Sequence, residues 1–366
     1  MTERLLPMTI HLIAPFHVEP SLEFSHDAFG TLTRLFSKMM YHRPVIEYSC
    51  GHSDCQTLKR TQLLTSQELR DLAPHEEGRE YRHTARLDSP LYQLWKERLL
   101  TRLNALMNPG DIVLHGFGRA STWLARSHPE MIHIEPWVGY DEPPCGPLRV
   151  FPSTAWKNYV YGKHNSPTND FDRVIPHPID IDEWDESPNL KEGHLLYLGR
   201  LIPGKGLNVL KAIAEAQELP ILCVGQGDLA DRAQFQHERL RFLPPVSGRE
   251  RAQLYARARA VLMPTRYVEP FGMVSAEAQA SGAPVLCSPH GGLPETVVHG
   301  ITGYVCHGLG DWLEAIERAP RLDRTLIRIS SHARFGFEKV RALYLQCFEA
   351  AESLKADGWY SHRGCL

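Results

Sequence analysis

Short apolar runs alternate with amphipathic stretches along almost the whole chain, the arrangement expected when parallel strands are joined by helical crossovers. The runs "MTIHLIAPF" (8–16), "PVIEYS" (44–49) and "DIVLHGF" (111–117) predict strands, and helical spacing of apolar residues predicts helices over 27–42 and 89–107. From "MIHIEPWVGY" to "VIPHPIDIDEWDE" the periodicity weakens and Pro, Gly and aromatic residues accumulate. A fresh strand–loop–helix series starts at "GHLLYLGRLIPGKGLNVLKAIAEA" and continues through the strands "PILCVGQGD", "LRFLPPV", "RAVLMPT", "APVLCS" and "TGYVC". The chain ends in helices, among them "FGFEKVRALYLQCFEAAESL". An α/β architecture follows, with a first domain over 1–185, a second over 186–335 and a helical segment over 336–366; the total of 366 residues fits two domains.

Composition changes this picture little. Hydrophobic residues at 43% and charged residues at 23% are those of an ordinary globular protein, and no apolar run approaches the length of a membrane span. The opening "MTERLLPMTIHLIAPF" lacks the length and cleavage site of a secretory signal, so a cytoplasmic location is expected. Net charge is −3, and residues 1–185 carry 19 Lys and Arg against 24 Asp and Glu. No basic stripe points to nucleic-acid phosphates or anionic lipid as the main partner. The eight cysteines form no CxxC pair, and several lie in apolar runs, as reduced core thiols do. "CGHSDC" groups two thiols and an imidazole, yet no second cluster completes a tetrahedral metal set, and no metal is expected.

The chemistry concentrates in "RYVEPFGMVSAEAQASGAPVLC" (266–287), where Glu269 and Glu277 stand in a stretch otherwise composed for burial. The segment "MVSAEAQASG" predicts a short helix of small residues, and its amino end leaves the N–H groups of Phe271, Gly272 and Met273 available to an anion. Glu269 precedes that end and Glu277 follows it by about two turns. An ionised carboxylate accepts two or more hydrogen bonds and can grip a vicinal diol. In "YLGRLIPGKGLNVLKAI", Arg200 and Lys205 place two cations beside another helix amino end, which suits a diphosphate. "CVGQGD" adds a Gly turn containing Gly225, without the spacing of a dinucleotide fingerprint.

Together these segments, with "GGLPETVVHGITGYVC" and "FGFEKVRALYLQCF", resemble the retaining glycosyltransferases of the GT-B fold, specifically glycosyltransferase family 4 (group 1). The resemblance spans about half the chain and rests on E-P-F-G-x-x-x-x-E, G-x-P-V and G-G-L-P-E. It implies two Rossmann-like α/β/α domains facing each other across a cleft, with the C-terminal helix packing back on the N-terminal domain. It also implies a nucleotide diphosphate sugar as co-substrate, uridine favoured over guanosine, and no required cofactor. By motif, Arg200 and Lys205 neutralise the diphosphate, Glu277 binds the ribose hydroxyls, and Glu269 with the Phe271, Gly272 and Met273 amides holds the sugar. Gly225 and Val246, the latter in "RFLPPVSG", lie near the nucleotide, although Pro245 stands where relatives often carry Gly. His115 resembles the family histidine that reaches the donor sugar, a core or loop histidine being the alternative; Glu135 and His26 are the acceptor-side candidates. The first half departs from the family, reading "APFHVEPSLEF" where relatives carry a Gly-Gly loop.

The implied reaction is front-face transfer, with retention, to an acceptor hydroxyl on a glycan, lipid, small molecule or modified nucleobase. A nucleotide-sugar epimerase of the same fold and a non-catalytic nucleotide-sugar-binding protein are the competing readings; the first is distinguished by epimer formation from donor alone, the second by binding without turnover.

Overall fold

The computed structural model describes residues 8–22, 27–72, 86–143, 146–166, 169, 171–184, 194–227 and 234–356. The chain folds into two compact units, one made of 1–151, 167–178 and 340–366, the other of 152–166 and 179–339.

The first unit contains β1 (Ile10–Ile13), β2 (Val45–Cys50), β3 (Lys59–Leu64), β4 (Ile112–His115), β5 (Ile132–Glu135), β6 (Leu148–Phe151) and β7 (Arg173–Val174). They form one parallel sheet in the order β3-β2-β1-β4-β5-β6-β7. The second unit contains β8 (Leu195–Leu198), β9 (Ile221–Val224), β10 (Leu240–Leu243), β11 (Ala260–Met263), β12 (Val285–Cys287) and β13 (Gly303–Val305). Its order is β10-β9-β8-β11-β12-β13, again all parallel. Both sheets repeat the doubly wound order in which the first and fourth strands are neighbours, and ligands of such sheets bind beyond the strand ends where the order reverses.

Helices cover both faces of such a sheet, so successive residues of one strand enter two different cores. Leu195, Tyr197 and Leu262 pack on one side of the second sheet, while Leu196, Val261 and Met263 pack on the other. Strand β3 was not anticipated from the sequence: it is an edge strand that begins with the exposed Lys59 and Arg60, and its polar start hides the pattern. The helices expected over 27–42 and 89–107 run Ala28–Met39 and Pro90–Asn104, each started by a side-chain cap, Asp27 and Ser89.

The chain crosses between units more often than a single boundary at 185/186 allows. Residues 152–166 belong to the second unit, and 167–178 return to the first. The helix Thr154–His164 is held by partners far away in sequence: Ser153 Oγ donates to the Pro270 carbonyl at 2.6 Å, and the Glu295 carboxylate accepts from the Thr154 and Ala155 amides at 2.9 and 2.7 Å. Local periodicity cannot register such contacts. Within the helix Phe337–Ala356, residues from Val340 onward belong to the first unit. There Tyr344 packs edge-on against Phe36 at 5.1 Å, and Lys355 Nζ donates to the carbonyls of Met131 and Pro129 at 2.8 and 3.0 Å. Among the described residues no helix is long and apolar enough to cross a membrane.

Candidate functional site

The order of the second sheet reverses between β8 and β11, and the site is built on the loops that leave those two strands. After β8 the chain passes Gly199 and Arg200, makes a turn over Pro203–Lys205 and enters the helix Leu207–Ala216 through Gly206. Gly206 has φ +88°, and a Cβ there would lie 1.9 Å from the Pro264 carbonyl oxygen just beyond β11. Only glycine permits that approach. The Arg266 amide donates to the Gly204 carbonyl at 2.9 Å, so the two loops are fastened backbone to backbone.

That fastening brings Lys205 to Glu269. Nζ and Oε2 are 2.6 Å apart, with both side chains largely buried. Lys205 also stands over the Tyr267 ring, 5.0 Å from its centroid. Burial alone would lower the ammonium's pKa, but Glu269 and then Tyr267 outweigh it and leave that pKa above its ordinary value. Lys205 is therefore a permanent cation.

The Glu269 loop is clamped from its other side by the "GGLPE" turn. A side chain on Gly291, whose φ is +66°, would meet the Glu269 amide nitrogen at 2.3 Å, and the Gly292 amide donates to the Glu269 carbonyl at 2.7 Å. Immediately after, Gly272 opens the helix Met273–Ala280. Ser275, Gln279 and Thr296 hold that helix in a buried network, with Gln279 Nε2 donating to Ser275 Oγ at 3.0 Å and Thr296 Oγ1 bonded to the same oxygen at 2.8 Å.

Glu277 lies deeper, at 4% exposure, with different partners from Glu269. The Tyr255 hydroxyl donates to its Oε2 at 2.9 Å, and Arg251 Nη2 is 3.6 Å from its Oε1. Neither Tyr255, Arg251 nor Tyr267 was singled out from the sequence. The i, i+4 spacing of Arg251 and Tyr255 in "SGRERAQLYARA" was the one available signal.

The remaining candidates fall as follows. Arg200 is exposed beyond β8, and its carbonyl accepts the Tyr197 hydroxyl at 2.6 Å. Gly225 follows β9, and a Cβ there would lie 1.9 Å from the Gly199 carbonyl oxygen, so these two loops adjoin. Val246 and Met273 are partly buried against the core, and the Phe271 ring packs edge-on to Phe335 at 5.5 Å. The second unit thus gathers Arg200, Lys205, Gly225, Glu269 and the Gly272 helix start around adjoining strand ends, with Glu277 in a separate cluster.

In the first unit, His115 ends β4 fully buried, with Nδ1 2.8 Å from Ser121 Oγ and Nε2 3.1 Å from His133 Nδ1. His133 Nε2 faces the His128 carbonyl at 2.8 Å, and a carbonyl only accepts. The neutral tautomers follow: His133 is protonated on Nε2, His115 donates from Nε2, and Ser121 donates to His115 Nδ1. Burial, and then His133, hold the His115 pKa well below its ordinary value. With both nitrogens committed, His115 serves the fold in this structure. Glu135 ends β5, also fully buried, and accepts from the Gly146 amide at 2.7 Å. His26 lies outside the described residues. Among the described residues no group of three or more His, Cys, Asp or Glu is placed to hold a metal ion. Cys50, Cys55, Cys223, Cys287, Cys306 and Cys347 are free thiols, and burial pushes Cys55 up to about 12.

Comparison with known proteins agrees with this fold. The chain resembles the sucrose-phosphate synthase of Thermosynechococcus elongatus at TM-score 0.71 and 19% identity, covering 94% of this chain and all of that one. It resembles Anabaena Alr3699/HepE, in complex with UDP and glucose, at TM-score 0.69 and 14% identity, with 94% and 100% covered. The fold is therefore GT-B, two Rossmann-like parallel α/β units. Residues 179–326 match the family Glycosyl transferases group 1. A D-inositol 3-phosphate glycosyltransferase of Actinosynnema mirum is 37% identical over 129 residues, 33% of this chain and 31% of the relative. The chain thus matches about a third of the length of that curated relative.

Proposed function

We propose that this protein is a retaining glycosyltransferase that moves a sugar from a nucleotide diphosphate sugar, UDP-linked in the favoured case, to an acceptor hydroxyl. The observation that carries the reading is the contact of Lys205 with Glu269 at the point where the second sheet reverses. One is a permanent cation and the other an acceptor of hydroxyl hydrogen bonds, the pair of chemistries that a sugar diphosphate presents.

Breaking the sugar–phosphate bond builds positive charge on the anomeric carbon and negative charge on the departing diphosphate. Lys205, Arg200 and the amino end of the helix Met273–Ala280 stabilise the leaving charge, the electrostatic task that a metal ion performs in other transferases. Glu269 orients the sugar through its hydroxyls, and Glu277 holds the ribose. The leaving phosphate takes the acceptor's proton as the new bond forms on the same face. The acceptor is a hydroxyl-bearing molecule, for which the first unit is the expected seat. Resemblance to a UDP- and glucose-bound protein supports the donor class, and the matched relatives' names support the reaction class.

A panel of UDP, GDP and their sugars tests the reading by thermal shift and calorimetry, followed by product detection with chelator present. Binding of one nucleotide series and transfer unaffected by chelator are expected. Absence of binding by every nucleotide, or formation of an epimer from donor alone, overturns it.

A further inference from the structure

The helix Gly248–Arg257 turns Arg251 and Tyr255, one helical turn apart, toward Glu277 on the helix Met273–Ala280. Trp184 backs both: the Arg251 guanidinium stands 5.2 Å from its ring centroid, and the Tyr255 ring lies 5.7 Å away. We propose that Arg251 and Tyr255 are positioning residues that hold the Glu277 carboxylate for the two ribose hydroxyls of the donor, making the site selective for ribonucleotides over deoxyribonucleotides. This rests on the reading that the second unit binds a nucleotide.

Acceptor capacity decides the matter. An ionised carboxylate has about four lone-pair sites. Tyr255 takes one, on Oε2, at 2.9 Å. Arg251 at 3.6 Å from Oε1 supplies opposite charge without making a hydrogen bond at that distance. It therefore lowers the cost of a buried carboxylate while leaving acceptor sites on Oε1 unfilled. A pair built only for stability gains most from a close, bidentate arginine, which this one is not. Burial, and then the charge of Glu277, keep the Tyr255 phenol protonated, so toward Glu277 it acts as a donor. The carboxylate is thereby fixed in direction, charge-balanced and still able to accept, and a cis-diol offers two donors at matching spacing. A donor that lacks one hydroxyl leaves a buried acceptor unpaired, which costs affinity.

The test is calorimetry of uridine diphosphate and 2′-deoxyuridine diphosphate, with the guanosine pair in parallel, against the wild type, Tyr255→Phe, Arg251→Lys, Glu277→Gln and the Tyr255→Phe/Glu277→Gln double variant. Melting curves accompany each titration. The wild type should prefer the ribonucleotide by about tenfold or more. Tyr255→Phe and Arg251→Lys should each narrow that preference several-fold, Glu277→Gln should abolish it, and the double variant should match Glu277→Gln. A merely structural role changes melting without changing the ratio. If both single variants keep the wild-type ratio while Glu277→Gln loses it, the positioning role falls and the nucleotide reading stands. If Glu277→Gln also keeps the ratio, Glu277 does not meet the ribose and the inference fails. If no diphosphate binds the wild type, the nucleotide reading fails with it. Should Tyr255→Phe not fold, Arg251→Lys gives the same ratio test.

Discussion

Lys205 and Glu269, 64 residues apart in the chain, form a largely buried ion pair with Nζ and Oε2 at 2.6 Å. Each is the other's charge partner. A ligand that brings a diphosphate to Lys205 and hydroxyls to Glu269 satisfies both groups, whereas one that offers only half leaves a partly buried charge short of its partner. The two halves of a sugar diphosphate should therefore bind with mutual reinforcement. Lys205→Ala and Glu269→Ala are each expected to lower kcat/KM by about 10² to 10³, the scale of losing one aimed electrostatic group. Because the residues act as a unit, the double variant should lose less than the product of the two, as steady-state kinetics on all three will show.

The clamp behind Glu269 gives a second prediction. Gly291→Ala must push its Cβ away from backbone atoms of residue 269 at 2.3 and 2.4 Å, and φ +66° is strained for alanine. Loss of most transfer activity is expected, with about 1–3 kcal/mol of destabilisation. Gly300→Ala is the control: its φ is +78°, but nothing lies within 4 Å of the added carbon. It should cost about 1–2 kcal/mol of strain and leave turnover intact. Comparable turnover in the two variants would remove the clamp from the argument.

Buried histidines set the acid limit of stability. His177 is held at about 3 by burial, and His115 well below its ordinary value by burial and then His133. His11 is also lowered, burial outweighing the opposing pull of Asp111. In each case the folded pKa lies under the unfolded one, near 6.5, so the unfolded chain binds the proton first. Stability should be complete above about pH 6.5 and fall as pH drops through 6 toward 3. Urea unfolding across that range will measure the slope, and His177→Leu should flatten it. An unchanged slope would place the acid sensitivity elsewhere.

Glu68 works in the same direction at lower pH. Arg98 first, then the Thr65 amide, hold its carboxyl at about 2, through bonds of 2.7 and 2.9 Å to Arg98 and 2.8 Å to Thr65. Its contribution is present above the unfolded carboxyl value and is lost as pH falls through that value toward about 2. The pair is partly exposed, so Glu68→Gln should cost no more than about 1 kcal/mol at neutral pH. The difference between variant and wild type should vanish near pH 2 in the same titration.

Glu295 separates capping from catalysis. Its carboxylate accepts from two amides at the start of the helix Thr154–His164, at 2.9 and 2.7 Å. Glu295→Ala should cost about 1 kcal/mol, as lost caps do, and nucleotide affinity should stay within about twofold. A large loss of affinity with normal melting would assign Glu295 to the ligand instead.

Much of this was legible along the chain because its physics is local. Strands such as β8 and β11 pack alternate residues into two cores, and so read as continuous apolar runs; caps such as Ser89 precede their helices by one residue. The glycines and charges of "GRLIPGKG" and "RYVEPFG" likewise mark two loops through short-range geometry, and those loops do adjoin. Where meaning depended on partners far away in sequence, the chain was silent. Nothing in "LYQLWKERLL" or "HIEPWVGY" tells whether a buried polar group nearby faces a ligand or a neighbour, and His115 became part of a Ser121–His133 network.

The sequence alone thus determined the alternation of strands and helices, the two repeated α/β series and the residue types that suit a diphosphate and a diol, because propensity, burial pattern and turn chemistry act within a few residues. Tertiary structure decided the rest: that Lys205 touches Glu269, that Glu277 belongs with Tyr255 and Arg251, and that 152–166 folds with the second unit. Those outcomes depend on which desolvated group finds which partner, a choice made only when distant segments pack.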